Sequence, residues 1–131
     1  MVAEKEKKEF FGKKIEQNEI EGELAVDVYQ NENEFVIQSL IAGVRQEDLE
    51  INITDESVSI KGKRERPAQI PKENYLYQEC FWGPFSRSII LPQKIDSTKA
   101  SANLSKTGIL TIRLPKLAKG QPRKLEITIE S

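Results

Sequence analysis

Ala100-Ser101-Ala102-Asn103-Leu104-Ser105-Lys106-Thr107-Gly108-Ile109-Leu110-Thr111-Ile112-Arg113-Leu114-Pro115 is the stretch from which the fold is read. Ala102 and Leu104 lie two apart, as do Leu110, Ile112 and Leu114, and a period of two marks one buried face of a β-sheet. Between the two runs, Ser105-Lys106-Thr107-Gly108 supplies a reversal, with glycine free to take a positive φ. Pro115 has no N–H for a ladder and stops the second strand. The stretch is a β-hairpin.

The same alternation extends outward in both directions. Upstream, Leu24, Val26 and Val28 predict a strand with one buried face, and Asn31-Glu32-Asn33 turns the chain. Phe35–Ile41 is apolar enough for a strand covered on both faces. A polar connection from Ala42 to Asp48 leads to Leu49, Ile51 and Ile53 in strict alternation, and Asp55-Glu56 turns into Val58–Gly62. Strands at roughly ten-residue spacing predict an all-β sandwich. Lys63–Asn74 breaks the pattern with charges and two prolines, a length of irregular chain that calls for a functional reason. Tyr75-Leu76-Tyr77 is a short β-favouring burst stranded in it. Trp82-Gly83-Pro84 reads as a turn, Phe85–Pro92 as a further strand, and Ile95–Lys99 bridges to the hairpin.

The two ends differ from this body. Residues 1–23 form an arm rich in Glu and Lys that carries Phe10 and Phe11, either a solvated segment or a sticky one that docks on partners. Residues 24–115 form the domain. Residues 116–131 form an extension in which Gly120 and Pro122 precede Leu125, Ile127 and Ile129, again two apart. The linker from Lys116 to Lys124 spans about 30 Å when extended, so the last run can reach beyond its own domain. A short one-faced apolar strand at a chain end suits addition to another sheet's edge.

Composition narrows the function. The chain has 131 residues, 20 basic against 21 acidic, for a net charge of −1, so no basic excess exists to neutralise phosphates and nucleic-acid binding is not expected. There are no histidines and one cysteine, Cys80, which removes Ser-His and Cys-His nucleophiles and any Cys/His zinc set. No catalytic residues, metal or cofactor are expected, and the chain does not read as an enzyme. No apolar run approaches a membrane span, and the charged start is unlike a signal peptide, so a cytoplasmic location is expected. Cys80 beside Phe81, with no flanking cation, reads as a buried or half-buried structural thiol.

Five motifs in order carry a resemblance. Ala42-Gly43-Val44 through Glu47-Asp48-Leu49 is similar to a Pro-Gly-Val…Glu-Asp-hydrophobic connection, with Ala42 in place of proline. Val58-Ser59-Ile60-Lys61-Gly62-Lys63-Arg64, Phe85-x-Arg87…Leu91-Pro92, Leu104…Gly108-Ile109-Leu110 and Leu125-x-Ile127 complete the series. Together they resemble the alpha-crystallin domain of small heat-shock proteins, in its bacterial and plant branch. The resemblance implies an immunoglobulin-like β-sandwich, dimers that assemble into larger homo-oligomers, and ATP-independent chaperone (holdase) activity towards unfolding client proteins. It implies a client and anchor groove lined by Leu49, Ile51, Ile53, Ala102 and Leu104, although each of these can also be plain core. Leu125, Ile127 and Ile129 would be the anchor that fills it. The loop burst Tyr75, Leu76 and Tyr77 would enter the partner's sheet, with Glu79 and Arg87 paired at the dimer interface. Arg87 reaching solvent at a sheet edge is the other reading. An alternative is a non-enzymatic adaptor of the p23 co-chaperone type that binds one folded partner.

Overall fold

The protein is described by a computed structural model over residues 21–118 and 124–130. Phe10, Phe11, Gly120 and Pro122 lie outside them. Among the described residues, eight strands form two four-stranded sheets. They are β1 (Gly22–Glu23), β2 (Asp27–Gln30), β3 (Glu34–Leu40), β4 (Leu49–Ile53), β5 (Ser57–Arg64), β6 (Gly83–Ile90), β7 (Ser101–Leu104) and β8 (Ile109–Pro115). One sheet has the order β1-β6-β5-β4 and the other β2-β3-β8-β7. All pairings are antiparallel except β1 with β6.

The core follows from the alternation. Val58, Ile60 and Phe85 from one sheet face Phe35, Ile37, Leu110, Ile112 and Leu114 from the other, all buried. At about 1.5–3 kcal/mol for each fully buried large apolar side chain, this cluster is the dominant stabilising term. The ion pairs cannot compete. Arg45–Asp48, Arg45–Glu65 and Lys63–Glu65 all involve solvent-exposed cations, and such pairs contribute about 0–1 kcal/mol each.

Two local expectations are corrected. The run Leu24–Val28 is not one strand. β1 ends at Glu23 in one sheet and β2 begins at Asp27 in the other, so the chain crosses between the sheets here. Leu24 is buried, whereas Val28 is exposed. The Ala25 carbonyl, which belongs to neither ladder, accepts a 2.7 Å hydrogen bond from the hydroxyl of Ser39, a buried polar residue of the core. The expected turn at Trp82-Gly83-Pro84 is in part the start of β6, where Gly83 and Pro84 pair with Arg64 and Lys63. Proline is admitted near the beginning of a strand.

Two glycines are required by close approach. A Cβ on Gly62 would sit 2.6 Å from the Phe85 ring that pairs across from it. The hairpin turn behaves as the sequence predicts. Gly108 has φ +88°, its N–H donates to the Ser105 carbonyl, and its own carbonyl accepts from Ile41 N–H at 2.7 Å. A Cβ there would fall 2.5 Å from Ala42 Cα. Gly108→Ala should therefore combine the left-handed penalty of about 1–2 kcal/mol with overpacking of about 1–3 kcal/mol. Urea unfolding should show a loss near the sum of the two, while Lys106→Ala in the same turn stays within about 0.5 kcal/mol of the parent. Equal midpoints for the two variants would remove Gly108 from its role in joining hairpin and β3.

Candidate functional site

β4 and β7 are edge strands of opposite sheets and lie on the same side of the sandwich. Ile51 pairs with buried Ile60, and Ala102 with buried Ile112, so Ile51 and Ala102 share the inward faces of their sheets. With no strand bridging the two edges, their side chains line a groove of about 410 Å³. Leu49, Ile51, Ala102, Leu104 and Leu110 form its apolar wall, and Gln46 and Asn103 are its polar members. Four of the five expected groove residues are thus brought together. Ile53 is not among the lining residues; it pairs with Val58 and packs against the core. Leu49, Ile51 and Leu104 are half-buried and also touch the core, so they serve packing and surface at once. Ala102 is exposed.

Leu125, Ile127 and Ile129 belong to no strand of the described chain and are 71%, 89% and 87% exposed. These three aliphatic side chains are therefore not part of their own sandwich core.

The loop from Glu65 to Trp82 joins β5 to β6 and contains one 3-10 turn, Lys72–Asn74. Tyr75, Leu76 and Tyr77 form no strand within the chain. Tyr75 is half-buried, and Leu76 and Tyr77 are 93% and 83% exposed. Cys80 is exposed, contrary to the expected buried thiol, because the loop contributes nothing to the buried core.

An edge that sequence reasoning missed lies at β2. All four of its residues are exposed, among them Val28 and Tyr29, and among the described residues β3 is its only neighbour in the sheet. Val28 pairs with buried Ile37 and so shares the inward face that the alternation predicted, but as part of an edge strand it is left uncovered, which periodicity cannot show.

Arg87 is on the inward face opposite Ile60, yet its side chain is 34% exposed. Its Nη1 donates to the Leu24 carbonyl at 3.0 Å, and its Nε lies 3.9 Å from the Glu23 carboxylate. Glu79, expected as its partner across the dimer interface, lines a cavity within the loop of its own chain. Within one chain, then, Arg87 pins the crossing between sheets.

Among the described residues, no group of His, Cys, Asp or Glu could hold a metal ion, and no helix is long and apolar enough to cross a membrane. Asp96 is held below the usual carboxylate range, chiefly because the Thr98 hydroxyl donates to it, and it caps the Ser97–Lys99 turn. Arg45 is raised above its ordinary value by the hydrogen bond and charge of Asp48. Both shifts belong to surface turns and have structural causes.

Comparison with known proteins agrees with this arrangement. The sequence matches the Hsp20/alpha crystallin family over residues 27–130. It is 34% identical to small heat shock protein C4 of Rickettsia felis, over 78% of this chain and 62% of that one. It is 34% identical to heat shock protein 16 of Schizosaccharomyces pombe, over 82% of this chain and 77% of that one. The chain thus spans about three fifths of some curated relatives and three quarters of others. Heat shock protein 16.0 from S. pombe superposes with a TM-score of 0.66 at 30% identity, covering 86% of this chain and all of that one. A small heat-shock protein from Xylella fastidiosa does so with a TM-score of 0.67 at 28% identity, covering 81% and 96%. From the sandwich, the ordered motifs and the match over residues 27–130, this chain belongs to the Hsp20/alpha crystallin family of small heat shock proteins.

Proposed function

We propose that this chain is an ATP-independent holdase, a cytoplasmic chaperone that binds unfolding proteins and keeps them from aggregating. The observation that carries the reading is the open groove between β4 and β7, walled on its inner side by Leu49, Ile51, Ala102 and Leu104, together with an exposed aliphatic triplet in the same chain. Unfolding proteins expose apolar side chains and unpaired strand edges. A groove between two edge strands offers both an apolar floor and free backbone groups, and Leu125, Ile127 and Ile129 are chemically matched to cover it when clients are scarce. The test is light scattering from a heated client protein. Equimolar chain should suppress it with or without ATP; undiminished scattering across the temperatures at which the chain stays folded would refute the holdase reading.

Self-assembly follows in the same terms. Leu125, Ile127 and Ile129 share one side of an extended strand. Each would contribute about 1.5–3 kcal/mol if fully buried in a neighbour's groove, before the ordering of the extension is subtracted. Repeated over many subunits, such contacts hold an assembly together while each one still opens. The Xylella fastidiosa relative is described as adopting a distinct high order structure. Ile127→Ser should reduce the assembly to dimers and leave thermal unfolding of the domain nearly unchanged. Ala102→Glu should reproduce that from the groove side, since Ala102 is exposed and its replacement leaves no cavity. If both variants keep the parent's sedimentation, the tail does not dock in this groove.

Subunit pairing is assigned to the loop. Leu76 and Tyr77 are apolar and exposed, and β2 presents an edge with unpaired backbone beside Val28 and Tyr29. Adding the loop segment of one chain to β2 of another would satisfy both. A Leu76→Ser, Tyr77→Ser double variant should remain folded and sediment as a monomer at concentrations where the parent is assembled. A dimer that persists would exclude this pairing.

A further inference from the structure

The β5–β6 loop lies outside the core, yet it has packing of its own. Arg66, near its start, places its guanidinium carbon 5.3 Å from the Tyr75 ring centroid and 5.7 Å from that of Trp82 at its end. Arg66 Nη1 also donates to the Tyr75 hydroxyl. One planar cation therefore ties together the two legs of the loop and the residue just before its exposed tip. These side chains, with Ile70, Tyr77 and Glu79, line an open pocket of about 250 Å³ formed by the loop alone. The two residues that follow Tyr75, Leu76 and Tyr77, are the most exposed large hydrophobic side chains of the loop.

We infer that Arg66 is a positioning residue for subunit pairing. Hydrogen-bonded to the Tyr75 hydroxyl and set against the Trp82 ring, it holds the loop in the shape that a second copy of this chain accepts, so that Leu76 and Tyr77 are already presented when two subunits meet. The inference rests on the reading that the loop carries the dimer, and it adds how the loop is made ready. An unordered loop must be immobilised during association, and that loss subtracts from affinity; a loop closed beforehand avoids it. Arginine suits the position because its flat guanidinium can lie against the Trp82 ring and still donate in plane to the Tyr75 hydroxyl, which a lysine ammonium does not reproduce.

The test uses the full chain. Trp82 is the single tryptophan, so its emission reports the stack directly. Arg66→Ala should shift that emission to the red, increase its quenching by acrylamide, and raise the dimer dissociation constant about tenfold or more through slower association. Arg66→Lys should recover only part of this. Trp82→Leu should weaken pairing to a similar degree, and the double variant Arg66→Ala, Trp82→Leu should weaken it little further, because both remove one stack. Thermal unfolding of the sandwich should be unchanged in all of them. The inference is overturned if Trp82 emission is unmoved by Arg66→Ala, if the emission moves while affinity stays within twofold, or if weaker pairing comes with a matching loss of sandwich stability. Failure of the underlying reading looks different: the Leu76→Ser, Tyr77→Ser variant would then pair as tightly as the parent, and the inference would fall with it.

Discussion

A sandwich of two four-stranded sheets has four edge strands, and every edge carries backbone N–H and C=O groups with no partner in its own sheet. How those edges are treated decides what the rest of this molecule can do. On one side of the sandwich, β1 and β2 belong to different sheets but are consecutive in the chain, and the crossing at Leu24–Val26 closes the gap between them. Leu24 is buried there, Arg87 donates to its carbonyl and Ser39 donates to that of Ala25. On the other side, β4 and β7 are far apart in sequence and nothing of the described chain crosses between them. The groove is the consequence of that topology. The third open feature, the outer edge of β2, has exposed residues along its whole length.

The groove shows why the choice between core and binding surface was posed too sharply. Leu49, Ile51 and Leu104 are half-buried and contact the core while lining the groove. An edge strand's inward side chains pack on the core with one flank and are left uncovered on the other. The stability of the sandwich and the apolar character of the groove therefore share residues, and neither can be altered alone at those positions. Ala102 is the exception, since it is small and exposed. The charged surface matters less. Its ion pairs are exposed and screened, so they add solubility more than stability.

The loop between β5 and β6 shares no residue with the core cluster and touches the sandwich through Glu65, paired with Arg45, and Phe81, whose ring lies against Gly22. Within the loop, Arg66 joins its two legs, donating to the Tyr75 hydroxyl and lying against the Trp82 ring. Attachment at both ends to neighbouring antiparallel strands fixes where it leaves the sandwich, since Arg64 pairs with Gly83 directly beneath it. The fold thus supplies a rigid base for an arm whose shape is set by its own side chains.

Much of this was legible in the residues themselves. Alternation with period two located the strands because a sheet buries one face, and the hairpin Ala100–Pro115 was fully specified by local chemistry: two alternating runs, a glycine that must take positive φ, and a terminating proline. The separateness of Leu125, Ile127 and Ile129 was also readable, since an alternating run beyond a Gly/Pro linker is poorly placed to join its own core. What escaped were properties that depend on which strands become neighbours. Periodicity gives a strand two faces but does not say whether its edge is covered, so Val28, inward in register, is left 44% exposed on an open edge. Cys80 was taken as buried from its aromatic neighbours, but those neighbours belong to a loop held away from the core. Arg87 shows the limit most clearly. Its position on an apolar face was visible in the sequence, whereas its partners, the Leu24 carbonyl and Glu23, are supplied by a crossing of the chain that only the tertiary structure creates.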